Sequence, residues 1–352
     1  MSTLVRSKQK IRNMEELSST IGISRPTLSK YFQDAKSVRC STRERIEEAL
    51  DTVSYVPNFF ATRLNRQSTR VIGVIVPYLS DPFFTSLIQA IENAALEHGY
   101  TIMIHSANGD SEHESKMFEI LLAMNVDGII AAPIGQETSL GTVALLKEEL
   151  PIVFVDSRFP DSLDDVDFVC TDNQKSISLM VEYLYRSGDA PVFLGMPCAN
   201  SNSLEREQAY LDSARELGFE PVIIPLNCEE SVWNFEQFAF ETMDDYYASG
   251  AFVDSTILCA NDRLAIGVVR AANRHQLLCR GNGERARCRV AGHDDHPLSG
   301  YVFPALTTVS RNTDSMGQAA VEQILDQIQN GLRVGKGVVR TFDVELRLRE
   351  SA

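Results

Sequence analysis

The sequence predicts an N-terminal all-α helix-turn-helix domain, a short hinge helix, and an α/β body built on two parallel sheets. Three observations carry this. A turn flanked by two short helical patterns lies at residues 13–32, helical periodicity gives way at Val71 to short apolar runs alternating with helices, and that alternation restarts near Ser176. At 352 residues and 44% hydrophobic, the chain can hold two or three domains with cores of their own.

The head is organised around Gly22-Ile23-Ser24-Arg25-Pro26-Thr27-Leu28-Ser29-Lys30-Tyr31-Phe32. Gly22 suits the positive φ that ends a helix, Ser24 suits the cap of the next, and Pro26 falls in a first turn where a missing N–H costs nothing. Asn13, with Glu16 three residues on, opens the preceding helix, which carries Met14, Leu17 and Ile21. Ser41-Thr42-Arg43-Glu44 reads as a capping box opening a third helix, with Ile46, Ala49, Leu50 and Val53 on one face. In the second helix Leu28 and Phe32 point inward, leaving Arg25, Pro26, Ser29 and Lys30 to solvent or to a major groove. An ordinary helical corner with a solvated face would show the same short pattern. Residues 1–12, with Arg6, Lys8, Lys10 and Arg12 and no apolar periodicity, are expected to form a flexible arm.

In the connector, Asn58 after Pro57 can cap a short helix with Phe60 and Leu64 on one side and Arg63 and Arg66 flanking it. So short a helix is marginal in water. It is expected to form when DNA or a partner helix orders it, or else to dock as a plain connector.

From Val71 the body reads as strands over 71–76, 101–104, 128–132 and 152–155, with helices over 83–98, 111–124 and 140–149 between them. The strands are continuous apolar runs, as a sheet covered on both faces requires. The second round reads as a helix over 176–187, a strand over 192–195, a helix over 204–217 and a strand over 222–224. It continues with a helix over 235–247, a strand over 256–259, a helix over 264–273 and a strand over 289–292. The tail supplies a strand over 306–310, a helix over 314–330 and two short strands over 338–342 and 345–348.

Charge sharpens this division. Residues 1–70 hold 13 Lys/Arg against 7 Asp/Glu, a balance of +6, so the rest carries −21 of a total of −15. A basic head on an acidic body suits a protein that meets phosphates with one end only. The seven cysteines are odd in number and scattered, with no C-x-x-C, and read as reduced thiols. No apolar run is long enough for a membrane span and no signal-peptide pattern opens the chain, so a cytoplasmic protein is expected.

Taken together, these residues resemble the lactose-repressor (LacI/GalR) family of bacterial transcription regulators over nearly the whole chain. The series is Gly22-Ile23-Ser24 with Thr27-Leu28-Ser29, Thr42-Arg43-Glu44-Arg45-Ile46, Tyr55-Val56-Pro57-Asn58 and Val71-Ile72-Gly73-Val74. It continues with Asp81-Pro82-Phe83-Phe84, Cys259-Ala260-Asn261-Asp262, Gly292-His293-Asp294-Asp295 and Leu306-Thr307-Thr308-Val309. The resemblance implies a body like the periplasmic sugar-binding proteins, two lobes joined by three crossovers. It places a helix-turn-helix domain at 1–56, hinge helix and linker at 57–70, and an effector-binding and dimerisation domain at 71–352. Lobe one is expected at about 71–168 and 311–331, lobe two at about 169–310 and 332–352.

The same resemblance implies the sites. Arg25, Pro26 and Lys30 stand at base-reading positions, Ser29 shares their face, and Ser24, Thr27 and Asn58 suit phosphates or capping. Leu64 stands where the family inserts a minor-groove wedge, with Ala61 on the same face. The implied partners are palindromic operator DNA, a second copy of the chain as a homodimer, and a small effector such as a sugar, a polyol or a related molecule. Effector-binding positions fall at Phe83, Phe84, Asp156, Arg206, Asn261, Asp294 and Arg311, because parallel sheets bind ligands beyond the carboxyl ends of their strands. At least one of Phe83 and Phe84 reads equally as core at a helix start, and Asp156 and Asp294 could instead serve as caps or loop-stabilising carboxylates. Trp233 is a second stacking wall or an interlobe residue. Arg158 and Arg311 depart from the family pattern; an added guanidinium favours an anionic effector unless it pairs with a pocket aspartate.

Rival readings are an enzyme or a solute-binding protein with the helical head as an interaction module. His293-Asp294-Asp295-His296 matches no defensible metal spacing, and Gly331-Leu332-Arg333-Val334-Gly335-Lys336 is one residue short of a P-loop. No catalytic residue, cofactor, metal or membrane contact is therefore expected. The end of the chain, Glu350-Ser351-Ala352, carries no apolar heptad, so no tetramerising coil is expected either.

Overall fold

The computed structural model describes residues 8–57, 68–135, 137–159, 163–197, 200–226, 233–278 and 287–352. The chain divides into two compact units, residues 1–69 and 70–352. In the first, α1 (Met14–Ile21), α2 (Arg25–Gln33) and α3 (Cys40–Thr52) enclose buried Leu17, Ile23, Leu28 and Ile46. Asn13 caps α1 by accepting the Glu16 N–H, and Gly22 closes it at φ 65° with its own N–H on the Ser18 carbonyl.

Three local expectations fail in this unit. The third helix begins at Cys40, with Arg39 at the cap position and no side chain bonded to the helix end, so Ser41 falls inside the first turn. Glu44 is used differently, accepting from the Cys40 thiol at 3.1 Å. Ser24 occupies the cap of α2, but its hydroxyl pairs with that of Thr27 at 2.8 Å and not with the helix backbone. Residues 9–11 are no arm: β1 (Gln9–Lys10) runs parallel to β2 (Val53–Ser54), and Ile11 is 5% exposed in the core. Two residues of strand are too few for periodicity to reveal. The expected hinge helix, with Asn58, Ala61 and Leu64, lies outside the described residues.

In the body, one six-stranded sheet is parallel throughout. Its order is β12 (Val339–Phe342), β7 (Asp167–Thr171), β6 (Ile152–Val155), β5 (Gly128–Ala131), β3 (Val71–Val76) and β4 (Thr101–Ser106). On it pack α4 (Pro82–Glu97), α5 (Ser111–Ala123), α6 (Glu137–Leu146) and α11 (Thr313–Asn330). Burial on both faces explains why β3, Val-Ile-Gly-Val-Ile-Val, is apolar at every position. Gly317 lets α11 reach α4, since a Cβ there would lie 2.5 Å from that of Ala90.

The second lobe holds a parallel sheet of β10 (Arg289–Ala291), β9 (Thr256–Cys259) and β8 (Pro191–Leu194), and an antiparallel pair, β11 (Thr308–Arg311) with β13 (Val344–Arg347). Its helices are α7 (Asn173–Ser187), α8 (Ser201–Leu217), α9 (Phe235–Ala248) and α10 (Asp262–Arg274). The strand expected over 222–224 reduces to a single bridge between Ile223 and Phe193.

The chain crosses between lobes at β7 to α7, at β11 to α11, and at β12 to β13. The last crossing departs from the expectation that all of 332–352 belongs to lobe two, because β12 joins the first sheet beside β7. Asp167, fully buried, is the cause. Its carboxylate accepts from the Val338 N–H at 2.7 Å, from Gln327 at 3.1 Å and from Arg333 at 2.8 and 3.1 Å, fixing the tail to lobe one. No helix among the described residues is long and apolar enough to cross a membrane.

Candidate functional site

The carboxyl ends of the strands bring charged side chains to the lobe boundary. Asp156 follows β6, Asn261 lies two residues beyond β9, Asp294 three beyond β10, and Arg311 ends β11. Asp156 and Asp294 hold φ of 68° and 108°, conformations that non-glycine residues rarely take and that surrounding structure must enforce.

These groups form one buried network. The Arg311 guanidinium donates to Asp156 Oδ1, to Asp294 Oδ1 at 3.3 Å and to the Thr171 hydroxyl at 2.9 Å, and lies 4.1 Å from the centre of the Phe83 ring. Arg206, 2% exposed, donates to the same Asp294 oxygen at 3.3 Å, to the Ala260 carbonyl at 2.7 Å and to Asn173 at 3.0 Å. Asp156 accepts a further bond from Asn202 at 2.9 Å. Burial alone would raise the Asp294 carboxyl, but Arg206, His293 and Arg311 hold it well below the usual carboxylate range. Burial and then Arg206 push His293 down to about 4, so the neutral ring donates from Nδ1 to Asp294 at 2.8 Å and accepts at Nε2 from Ser176 at 2.9 Å.

A second cluster lies beside it. Arg263, at the start of α10, donates to Asp81 at 3.1 Å, to both oxygens of Glu236 at 2.8 and 2.7 Å, and to the Trp233 carbonyl at 3.0 Å. Among the described residues Asp262 is buried without a cation. Ser299 and Thr308 hydroxyls at 2.6 Å and the His296 N–H at 2.8 Å satisfy it, while burial pushes its pKa up to about 7. Between the clusters is a cleft of about 120 Å³ with Asp81, Phe83, Arg263, Asp294, His296 and Arg311 among its walls.

Of the residues expected to meet an effector, Phe83, Asp294 and Arg311 line this cleft, and Asp156 and Arg206 stand behind it through their bonds to Arg311 and Asp294. The others are placed elsewhere. Phe84, 6% exposed, belongs to the lobe-one core. Asn261 spends its side-chain oxygen capping α10 through the Leu264 N–H at 2.8 Å. Trp233 packs on Tyr78 and Phe235 at ring distances of 5.2 and 5.7 Å. Arg158 lies over Phe168 and pairs with Asp164 at 3.9 Å, in a separate and wider groove. Sequence reasoning missed Asp81, Asp262, Arg263, His296 and Ser310. Two carried a signal: Asp81 precedes Pro82 at a helix start, and Asp262 follows a strand end.

In the head, Arg25, Pro26 and Lys30 are exposed on α2, and Thr27 and Ser29 are half-buried. Among the described residues Arg25, Lys30, Lys36 and Arg39 enter no ion pair.

Residues 69–343 match the family model described as periplasmic binding proteins and sugar binding domain of the LacI family. The chain belongs to the LacI family. This LacI-family chain is 26% identical to the HTH-type transcriptional regulator PtxS of Pseudomonas putida, over 95% of its own length and 94% of the relative's. It is also 26% identical to the transcriptional repressor CytR of Escherichia coli, over 96% and 95%. Among solved structures it resembles the lac repressor dimer bound to operator and the anti-inducer ONPF, with a TM-score of 0.80, 24% identity and coverage of 97% and 98%. These relatives are regulators, not enzymes, and the LacI-family chain is a regulator of the same kind. Its helix-turn-helix head and two-lobed, periplasmic-binding-protein-like body follow the fold of that repressor.

Proposed function

We propose that the protein is a homodimeric, cytoplasmic repressor that binds palindromic operator DNA through its head and is controlled by a neutral sugar or polyol held between the lobes. The observation that carries the effector class is charge pairing. Each guanidinium at the cleft already faces a protein carboxylate, Arg311 on Asp156 and Asp294, Arg206 on Asp294, Arg263 on Asp81 and Glu236. An anion entering there would have to displace those carboxylates, whereas a hydroxyl-rich molecule can add bonds to their remaining lone pairs and lay a C–H face on Phe83.

On this reading α2 enters the major groove with Arg25, Pro26, Ser29 and Lys30 toward the bases, Ser24, Thr27 and Asn58 meet phosphates, and Ala61 and Leu64 face the minor groove. A ligand touching both lobes selects one closure, and differential affinity for two closures, typically about 1–3 kcal/mol, changes operator binding. The test is a footprint on DNA upstream of the gene, repeated with a panel of neutral sugars, polyols and sugar phosphates. Asp294→Ala should abolish the response to the active compound and keep ligand-free footprinting. A parental response in Asp294→Ala would refute the pocket, and a sugar phosphate as the sole active compound would refute the effector class.

A further inference from the structure

The cleft is too small for the ligands this architecture ordinarily encloses. Small-molecule sites run to roughly 300–1,000 Å³, against about 120 Å³ here. A ligand of sugar size gains room there when the lobes separate, and what resists separation can be read from the bonds between them.

Among the described residues two cations bridge the boundary, and they differ in what separation would leave behind. Arg263 of lobe two reaches Asp81 of lobe one but also holds Glu236 of its own lobe through two bonds, so opening leaves it paired. Among the described residues Asp156 of lobe one has no such reserve. Its partners are Arg311, anchored by the β11–β13 pairing and by Asp294, and Asn202 of α8, both on the other side. Asp156 and the Arg311 side chain are 5% and 2% exposed, so the charge that separation uncovers is one the closed protein has kept from water. Arg311 also covers Phe83, the aromatic wall a ligand would use.

We infer that Arg311 is an intramolecular latch: its bridge from Asp294 to Asp156 holds the lobes together without a ligand, and when the lobes part to admit one the guanidinium gives up Asp156 but stays paired with Asp294. The inference stands on cleft geometry and holds whatever the effector is. A buried pair of this kind is finely balanced, because water regained on opening offsets the attraction given up. One residue can therefore decide the resting closure.

The chain carries its own reporter. Trp233, its single tryptophan, follows α8 in lobe two and lies on Tyr78 of lobe one, close enough to Gly109 that a Cβ there would come within 2.6 Å of the indole. Acrylamide quenching of Trp233 in the ligand-free full-length protein, with small-angle scattering alongside, should show low quenching in the parent. Arg311→Gln should give a severalfold rise in quenching and a larger radius of gyration at unchanged helical circular dichroism. Asp156→Asn, nearly isosteric, leaves Arg311 on Asp294 but removes the charged one of its lobe-one partners, leaving the Thr171 hydroxyl and the Phe83 ring, and should shift both readouts the same way; it decides the matter should Arg311→Gln not fold. Parental quenching and radius in the folded variants would overturn the latch.

Discussion

The head and the body treat positive charge in opposite ways. In the body, the guanidinium groups of Arg206, Arg263, Arg311 and Arg333 are buried or half-buried and each meets an internal carboxylate. In the head, Arg25, Lys30, Lys36 and Arg39 are exposed and enter no ion pair among the described residues. A cation that holds a fold must find its counter-charge within the chain, since an unpaired buried charge is costly. One that is to meet a phosphate gains from having none, because each internal partner would have to be given up on binding. The contrast separates structural charge from charge held ready for a partner.

The largest effect should therefore come from removing a structural cation. Arg206→Ala leaves Asp294 with Arg311 as its one remaining cation beside the neutral His293, and strips donors from Asn173 and the Ala260 carbonyl. Breaking one side of such a buried pair costs about 3–5 kcal/mol. Urea unfolding should show that loss, and a midpoint near the parent's would mean the network carries little of the body's stability.

Proton linkage gives a second, smaller test within the body. His293 is held at about 4, below its ordinary 6.5, so it contributes stability that grows as pH rises from about 4 to 6.5. Asp262 is raised from 3.8 to about 7, so its contribution is full at low pH and is lost as pH rises from about 4 to 7. The two oppose each other, and the parent's urea midpoint should be nearly level across the shared window. Asp262→Asn removes the falling part and should leave a midpoint that rises from pH 4 to 6.5, on the order of 3 kcal/mol in stability. A level profile in the variant would mean that His293 is not held below its ordinary value, and a parent that rises as the variant does would mean that Asp262 is ionised throughout.

Periodicity made the alternating strands and helices legible because most of them are apolar on a regular repeat, as in β3 and α4. It missed β7, Asp-Phe-Val-Cys-Thr, because that strand carries Asp167 in a role only the folded tail explains. The cleft was legible at Phe83, Asp294 and Arg311, which stand at strand or helix ends. Asn261 shows why such a reading needs the fold, since a strand-end amide can cap a helix with its oxygen and keep its nitrogen for another partner. The pairing of Arg311 with a pocket aspartate stood as one of two alternatives, and which aspartates it meets, 155 and 17 residues away, could not be read because it depends on how the crossovers bring the lobes together.

The smallest effects belong to the head, where two exposed cations should separate reading from attraction. Arg25 stands at the start of α2, the helix that would enter the groove, and Arg39 at the cap of α3. Arg25→Ala should cost about 1–3 kcal/mol on operator and relax preference at one base pair per half-site. Arg39 is exposed at the start of α3, whose first turn no side chain caps, a place suited to a phosphate and blind to sequence. Arg39→Ala should weaken operator and unrelated DNA alike and reduce the slope of log affinity against log salt by about 0.9 for each phosphate left without its cation. Titrations of both variants on both DNAs at several salt concentrations decide the assignment. Equal losses on both DNAs for Arg25→Ala would make it a phosphate-binding residue, and an operator-only loss for Arg39→Ala would exchange the two roles.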